Sequence, residues 1–159
     1  MKIMILYDSV LGNTEKIAHA ISDSFGSHAD VKTFRVSDIQ PDNMIGLDLL
    51  IVGSPTRAFR PTMNIIGFLN GIPSCGLKDI KVAAFDTRVS YGADKKAQFA
   101  NILFRHVGYA AGSIADKLVK KGGTLIVPPM GFILKGSEGP LKAGELERAA
   151  DWTKSIMKA

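Results

Sequence analysis

The stretch YDSVLGNTEKIAHAISDSF, residues 7–25, places a polar loop directly in front of a helical pattern. Ile17, Ile21 and Phe25 are four residues apart in this stretch, so they lie on one face of a helix. The segment before it, KIMILY at residues 2–7, is a short apolar run typical of a buried strand. The chain is therefore predicted to begin with a strand, a loop and an amphipathic helix.

The same alternation of apolar runs and helical patterns continues along the chain. Further strands are predicted at VKTFRV (31–36), DLLIVGS (48–54), IKVAAFD (80–86) and TLIVPP (124–129). Helices are predicted over residues 14–25, 62–70, 95–106, 113–121 and 144–158. Only the strand at 31–36 alternates between apolar and polar residues, which suits the edge of a sheet. We therefore predict an α/β fold with a doubly wound sheet of five parallel strands, in one domain spanning the chain.

The last predicted helix also indicates which of its faces is buried. Its periodicity places an inward stripe on Leu146, Ala149, Ala150, Thr153 and Met157. Trp152 flanks this stripe, and we expect its ring to pack in the core.

Composition excludes several classes of protein. The chain has 159 residues, a formal net charge of +5 and dispersed basic residues, which does not indicate a nucleic-acid interface. It has no apolar run long enough to span a membrane, and we expect a cytoplasmic protein. Cys75 is the only cysteine, so we expect a buried thiol and no disulfide. His19, His28 and His106 lack partners at ligand spacing, so no metal site is predicted.

Three loops are candidates for a ligand site. In a doubly wound fold the ligand lies beyond the carboxyl ends of the strands, where the strand order reverses. The loops at residues 8–14, 54–62 and 86–94 follow three of the predicted strands and are expected to meet there.

The first of these loops has the chemistry of a phosphate site. It ends at a helix N-terminus, where unpaired N–H groups and the helix dipole favour an anion. Ser9 and Thr14 add hydroxyls, Gly12 permits a tight turn, and Asn13 can cap the helix. The loop contains neither G-x-G-x-x-G nor GK[ST], which favours a monophosphate over a dinucleotide or a nucleoside triphosphate. The alternative is that these residues only turn the chain and cap the helix.

Two of the loops resemble those of a known family. Ser9-Val10-Leu11-Gly12-Asn13-Thr14 resembles the phosphate loop of the flavodoxin family, with Leu11 at a position where the family has a hydroxyl residue. Gly53-Ser54-Pro55-Thr56-Arg57 is similar to the second flavin loop, in the version found in flavodoxin-like quinone reductases. The resemblance covers nearly the whole chain. It implies a flavodoxin-like domain over residues 1–159, the strand order 2-1-3-4-5 and FMN as cofactor.

The resemblance also implies a set of FMN-binding residues and no catalytic side chain. The first loop would hold the phosphate with Ser9, Val10, Leu11, Gly12, Asn13 and Thr14. The second loop would contact the ring and ribityl chain with Ser54, Pro55, Thr56, Arg57, Ala58 and Phe59. The third loop would line the pyrimidine side of the ring with Asp86, Thr87, Arg88, Tyr91 and Gly92. Phe59 and Tyr91 would be the aromatic walls. Apart from the resemblance, the segment 93–108 is longer than a short connection requires, and we expect it to cover the edge of the flavin. The segment 136–141 is expected either to form the opposite rim or to connect the chain to the last helix.

Three functions fit these expectations. The first is an FMN protein that carries electrons between redox partner proteins. The second is an FMN-dependent NAD(P)H:quinone oxidoreductase, which Pro55-Thr56-Arg57 suggests. A guanidinium at Arg57 would stabilise the reduced flavin anion and raise its two-electron potential. The third is a flavin-free interaction domain whose phosphate loop has decayed at Leu11.

Overall fold

A computed structural model describes residues 1–89 and 109–159. Within them the strands are β1 (Lys2–Tyr7), β2 (Asp30–Arg35), β3 (Leu49–Pro55), β4 (Lys81–Val89), β5 (Thr124–Leu125) and β6 (Met130–Leu134). The helices are α1 (Asn13–Phe25), α2 (Met63–Gly71), α3 (Ala110–Lys120) and α4 (Glu145–Lys158). Short 3₁₀ turns occupy Gly26–His28, Val36–Asp38 and Pro41–Met44. The predicted helix at 95–106 lies outside the described residues.

The strands form one parallel sheet in the order β2-β1-β3-β4-β5, with β6 also paired to β4. This confirms the doubly wound fold and the expected strand order. It also confirms β2 as an edge strand, because β2 pairs with β1 alone. The order reverses between β1 and β3, and the loops that follow these two strands therefore open at the same edge of the sheet.

The fifth strand position is divided, which the sequence analysis did not foresee. β5 pairs with Lys81 and Val82, whereas β6 pairs with the segment from Phe85 to Val89. Residues 126–129 therefore face only the two residues of β4 at positions 83–84. Pro128 and Pro129 have no N–H group to donate to the ladder, so a continuous strand cannot run through them. The predicted strand at 124–129 was correct for Thr124–Leu125 and wrong for residues 126–129.

Alternate residues of the central strands supply two separate cores. Ile3 and Ile5 face the layer of α1 and α4, whereas Met4 and Leu6 face the layer of α2 and α3. Ile17, Ile21 and Phe25 of α1 are buried, as predicted. The ring of Trp152 packs edge-on against Phe85 and Phe132, with centroids 6.2 Å from each, which confirms its packing role.

The inward face of α4 differs from the predicted one. Glu145, Ala149, Trp152, Thr153 and Ile156 are buried, whereas Leu146 and Met157 remain 47% and 46% exposed. Two contacts fix this rotation of the helix: the Trp152 ring lies in the core, and the Glu145 carboxylate accepts a 2.7 Å hydrogen bond from the Ile133 N–H. Cys75 is also exposed, contrary to the expectation of a buried thiol.

Residues 1–89 and 109–159 contain neither a membrane-spanning helix nor a metal-binding cluster. No helix there has the length and apolar character needed to cross a membrane. No cluster of three or more His, Cys, Asp or Glu side chains that could hold a metal ion occurs in the same residues.

Candidate functional site

The loop between β1 and α1 leaves several backbone N–H groups without a partner among the described residues. Gly12 has a φ of 88°, in the left-handed region that glycine adopts without strain. The Ser9 hydroxyl oxygen accepts from the N–H groups of Gly12 at 3.1 Å and Glu15 at 3.4 Å. The N–H groups of residues 10, 11, 13 and 14 donate to no described residue. Free amides at a helix N-terminus form an anion site, because the helix dipole adds to their partial positive charge.

A charged cluster outside the loop holds it in place. Arg35, at the end of β2, donates a 2.7 Å hydrogen bond to the Ser9 carbonyl and lies 3.7 Å from Asp8 and 3.8 Å from Glu15. The Tyr7 hydroxyl donates to Glu15 at 2.7 Å. Burial, followed by the hydrogen bond to Glu15, raises the pKa of Tyr7, so the phenol stays protonated and remains a donor. Sequence reasoning missed this cluster because Arg35 meets Tyr7, Asp8 and Glu15 only in the fold.

The second loop forms a two-residue hairpin. Arg57 and Arg60 exchange backbone hydrogen bonds of 2.9 and 3.0 Å. Ala58 and Phe59 lie between them with φ values of 46° and 65°. Two positive values in a two-residue hairpin define a type I′ turn, which normally contains Asn-Gly. Ser54 is fully buried and shapes the loop from below, because its hydroxyl accepts from the Thr62 N–H at 3.0 Å.

Replacing Ala58 by asparagine is expected to raise the free energy of unfolding by about 0.5–1 kcal/mol, because asparagine tolerates left-handed dihedrals. Replacing Ala58 by valine is expected to lower it by about 1 kcal/mol, because a β-branched side chain is strained there. Urea denaturation of the three proteins measures both changes. Equal stability of all three would show that this turn is not strained.

The end of β4 carries a buried ion pair, because β4 continues to Val89 and includes Asp86, Thr87 and Arg88, which were predicted to belong to the third loop. Arg88 donates two hydrogen bonds of 2.7 Å to the two carboxylate oxygens of Asp86, and one of these oxygens also accepts from the Ala111 N–H at 2.9 Å. The guanidinium lies 3.5 Å from the centre of the Tyr109 ring. On another side it approaches Gly131 so closely that a Cβ there would collide with it. Four contacts therefore fix the orientation of Arg88.

Side-chain contacts tie the first loop to the third loop and to the segment after β6. The Thr14 and Thr87 hydroxyl oxygens are 2.8 Å apart, and both residues are buried. The Asn13 side chain donates to the Glu138 carbonyl at 3.3 Å. The elements that carry these residues therefore meet at the edge of the sheet where the strand order reverses, as the sequence analysis expected.

A cavity of about 260 Å³ opens between these loops. Eleven of the predicted site residues line it: Ser9, Val10, Leu11, Asn13, Thr14, Pro55, Thr56, Arg57, Ala58, Thr87 and Arg88. Sequence reasoning missed three more lining residues, Val89, Leu134 and Ser137. Leu134 was missed because no strand was predicted at residues 130–134, where β6 lies. Ser137 falls in the segment 136–141, which was expected to form a rim.

The other predicted site residues have different positions. Gly12 shapes the first loop, and Ser54 and Asp86 are fully buried beneath the second and third loops. Phe59 lines an adjoining cavity of about 290 Å³, together with Thr56, Ala58, Arg88, Val89 and Tyr109. Tyr91, Gly92 and the segment 93–108 lie outside the described residues. Asp86 and Ser54 therefore position neighbours instead of lining the cavity.

Comparison with known proteins identifies the family. The family model for flavodoxin matches residues 5–152 of this chain. The chain belongs to the flavodoxin family. A flavodoxin from Picosynechococcus sp. is 36% identical over 55 residues, which are 35% of this chain and 32% of that relative. The match therefore spans about a third of that flavodoxin's length.

Solved structures of flavodoxins share the fold of this chain. Flavodoxin 2 from Bacillus cereus superposes with a TM-score of 0.77, covering 99% of both chains at 22% identity. A flavodoxin, WrbA-like protein from Agrobacterium tumefaciens gives a TM-score of 0.68 at 16% identity, over 99% of this chain and 95% of that one. At these identities the similarity supports the fold alone.

Members of the flavodoxin family bind FMN for electron transfer, and the cavity is chemically suited to that cofactor. The free amides at the start of α1 fit a phosphate, which needs several donors. Val10, Leu11, Pro55, Ala58 and Val89 give the cavity apolar walls, as a flat ring requires. Among the described lining residues the charged side chains are Arg57 and Arg88, so no described carboxylate opposes an anion there. Leu11 is 55% exposed, so much of its side chain projects outside the cavity.

Proposed function

We propose that this chain binds FMN in the cavity between the three loops and carries electrons between redox partner proteins. The observation that supports this most is the set of N–H groups at the start of α1 that donate to no described residue. The N–H groups of residues 10, 11, 13 and 14 would hold the phosphate, with the hydroxyls of Ser9 and Thr14 beside them. Thr56, Arg57 and Thr87 would orient the rest of the cofactor from the second and third loops. When bound, FMN supplies the electron-accepting and electron-donating chemistry.

The character of the cavity favours a carrier. Its described lining has hydroxyl, amide, guanidinium and aliphatic side chains, and contains no histidine, cysteine or carboxylate that could serve as a general acid or base. Val10 and Leu11 at its mouth are 53% and 55% exposed. An exposed apolar mouth gives a partner protein direct access, whereas a small-substrate enzyme usually encloses its reactants.

Titration of the FMN-free protein with FMN, followed by flavin absorbance and fluorescence, tests the cofactor assignment. We expect saturable binding of one FMN per chain. Leu11→Thr is expected to tighten FMN binding about fivefold, because its hydroxyl adds one hydrogen bond to the phosphate. Leu11→Val has nearly the same shape without the hydroxyl and is the matched control. Riboflavin lacks the phosphate, so it should bind the wild-type protein, Leu11→Thr and Leu11→Val with equal affinity.

Failure to bind FMN would favour the third function, a flavin-free interaction domain. Tighter FMN binding to Leu11→Val as well as to Leu11→Thr would assign the effect to the shape of the side chain at position 11. The phosphate would then not contact that position.

A reductase is the second candidate, and Arg57 at the edge of the cavity favours it. An arginine there would stabilise negative charge on a two-electron-reduced cofactor. Oxidation of NADH and NADPH by the FMN-loaded protein, with benzoquinone as acceptor, separates the two functions. The carrier should show negligible turnover, whereas turnover that saturates with either nucleotide would assign the reductase.

A further inference from the structure

We propose that Arg57 and Arg60 form a paired cationic site that docks the carboxylate-rich surface of an acidic redox partner protein. This inference rests on the proposed carrier function and adds the charge of the partner and the place where it docks. The pair is defined by the hairpin within the second loop, which precedes α2.

The hairpin holds the two arginines together on the same side. Arg57 and Arg60 are directly opposite in the antiparallel bridge, and directly opposite residues point their side chains to one face. Both residues are exposed, and neither makes an ion pair with any residue of 1–89 or 109–159. Two like charges in this arrangement repel each other. An anionic group placed between them would remove that repulsion.

The turn that carries the pair is itself strained. Ala58 and Phe59 adopt left-handed dihedrals that favour glycine and asparagine. Local strain of this kind persists where the surrounding structure imposes it, and it concentrates at functional sites. The hairpin thus combines two unfavourable features, backbone strain and a like-charge pair, at the edge of the cavity that is suited to FMN.

The position of the pair favours a protein over a small anion. Arg57 reaches the edge of the cavity, but Arg60 is not among its lining residues. Anionic metabolites bind in concave sites that surround them, whereas this pair is exposed at a hairpin. The neighbouring mouth of the cavity also exposes Val10 and Leu11 by more than half. An apolar centre with charged residues at its rim is typical of a protein interface.

Within residues 1–89 and 109–159, no carboxylate neutralises the pair. Asp8 and Glu15 beside the first loop are both within 4 Å of Arg35, and Asp86 is paired with Arg88. Glu138 is an exposed acidic residue in the loop after β6. Its backbone carbonyl accepts a hydrogen bond from the Asn13 side chain, which places it on the side of the cavity formed by that loop. The Arg57–Arg60 side of the cavity mouth is therefore positive, and an acidic protein surface complements it.

Titration with poly-L-glutamate of about 20 residues tests this inference at an ionic strength of about 10 mM, where surface charges are weakly screened. The protein is used both without and with FMN, and affinity is measured by calorimetry. Arg57→Gln together with Arg60→Gln is expected to weaken binding about tenfold in both forms. Amide chemical shifts of the wild-type protein should change mainly at residues 57–60 and at residues 10–11.

A matched double variant controls for the loss of two positive charges. Lys78 and Lys120 are exposed near the opposite edge of the sheet, before β4 and at the end of α3. Lys78→Gln together with Lys120→Gln should change poly-L-glutamate affinity by less than about twofold, because those charges are remote from the pair. An equal loss in both double variants would overturn the proposal, since binding would then depend only on net charge.

Inorganic pyrophosphate and NADPH distinguish a small anionic ligand from an acidic surface. If the Arg57→Gln/Arg60→Gln variant loses more affinity for either compound than for poly-L-glutamate, the pair serves a small ligand and the docking proposal fails. The measurements without FMN report on the arginines alone. If the cofactor assignment is wrong, the measurements without FMN still test the docking proposal. The FMN titration shows separately whether the cofactor assignment is wrong.

Discussion

Replacing Leu11 by aspartate is expected to weaken FMN binding by about 100-fold, which corresponds to roughly 3 kcal/mol. The new carboxylate would enter a loop whose free amides are suited to a phosphate, and two like charges at one helix N-terminus repel strongly. Leu11 is 55% exposed, so the fold should tolerate the change. Flavin fluorescence measures the dissociation constant of each variant.

Leu11→Asn is the matched control for charge at this position. It has the same shape as the aspartate variant and should bind FMN within about threefold of the wild-type protein, because it adds no charge. Riboflavin should bind the aspartate and asparagine variants equally. A similar loss of FMN and riboflavin affinity in Leu11→Asp would instead indicate damage to the loop and would count against a phosphate at this position.

Replacing Asp86 by alanine is expected to lower the free energy of unfolding by about 3 kcal/mol. The carboxylate is fully buried, and its removal leaves the Arg88 guanidinium, which is 20% exposed, without its partner. The Ala111 N–H loses its acceptor as well. Breaking a buried pair from one side is costly because the remaining charge stays desolvated. Urea denaturation at neutral pH measures the change.

An exposed ion pair of similar length provides the control for this prediction. Lys154 and Asp151 are 2.9 Å apart, with side chains 64% and 72% exposed. Asp151→Ala should cost less than about 0.5 kcal/mol, because water and salt screen such a pair. Arg88→Met combined with Asp86→Ala should cost less than the sum of the single changes. Additive losses would show that the pair does not act as a unit.

Local patterns were sufficient for most of the fold. The buried strands β1, β3 and β4 appear as continuous apolar runs, and β2 appears as an alternating one, because burial on two faces or one face selects these patterns. The stripe on α1 was predicted correctly from its spacing alone. The division of the fifth strand could have been anticipated from Pro128-Pro129, but the resumption at Met130 depends on pairing with Phe85 in β4.

The sequence predicted the part of the site that is formed by residues at the carboxyl ends of the strands. Parallel strands end at the same edge, so the loops after β1, β3 and β4 were expected to meet there, and eleven predicted residues do line one cavity. Arg35 and Leu134 were missed, because nothing in their sequence neighbourhood reveals a contact across the fold, whereas Ser137 lies in a segment that was expected to form a rim. Asp86 was expected to line the cavity, but its oxygens are engaged by Arg88 and Ala111.

Hydrophobic periodicity and loop chemistry therefore determined the class of fold, the order of elements and the phosphate-loop hypothesis, since these features depend on neighbours along the chain. Tertiary contacts decided which face of α4 is buried and which carboxylates support the loops. Those outcomes depend on distances between residues that are remote in sequence. A linear pattern cannot encode such distances, because they exist only after the layers have packed.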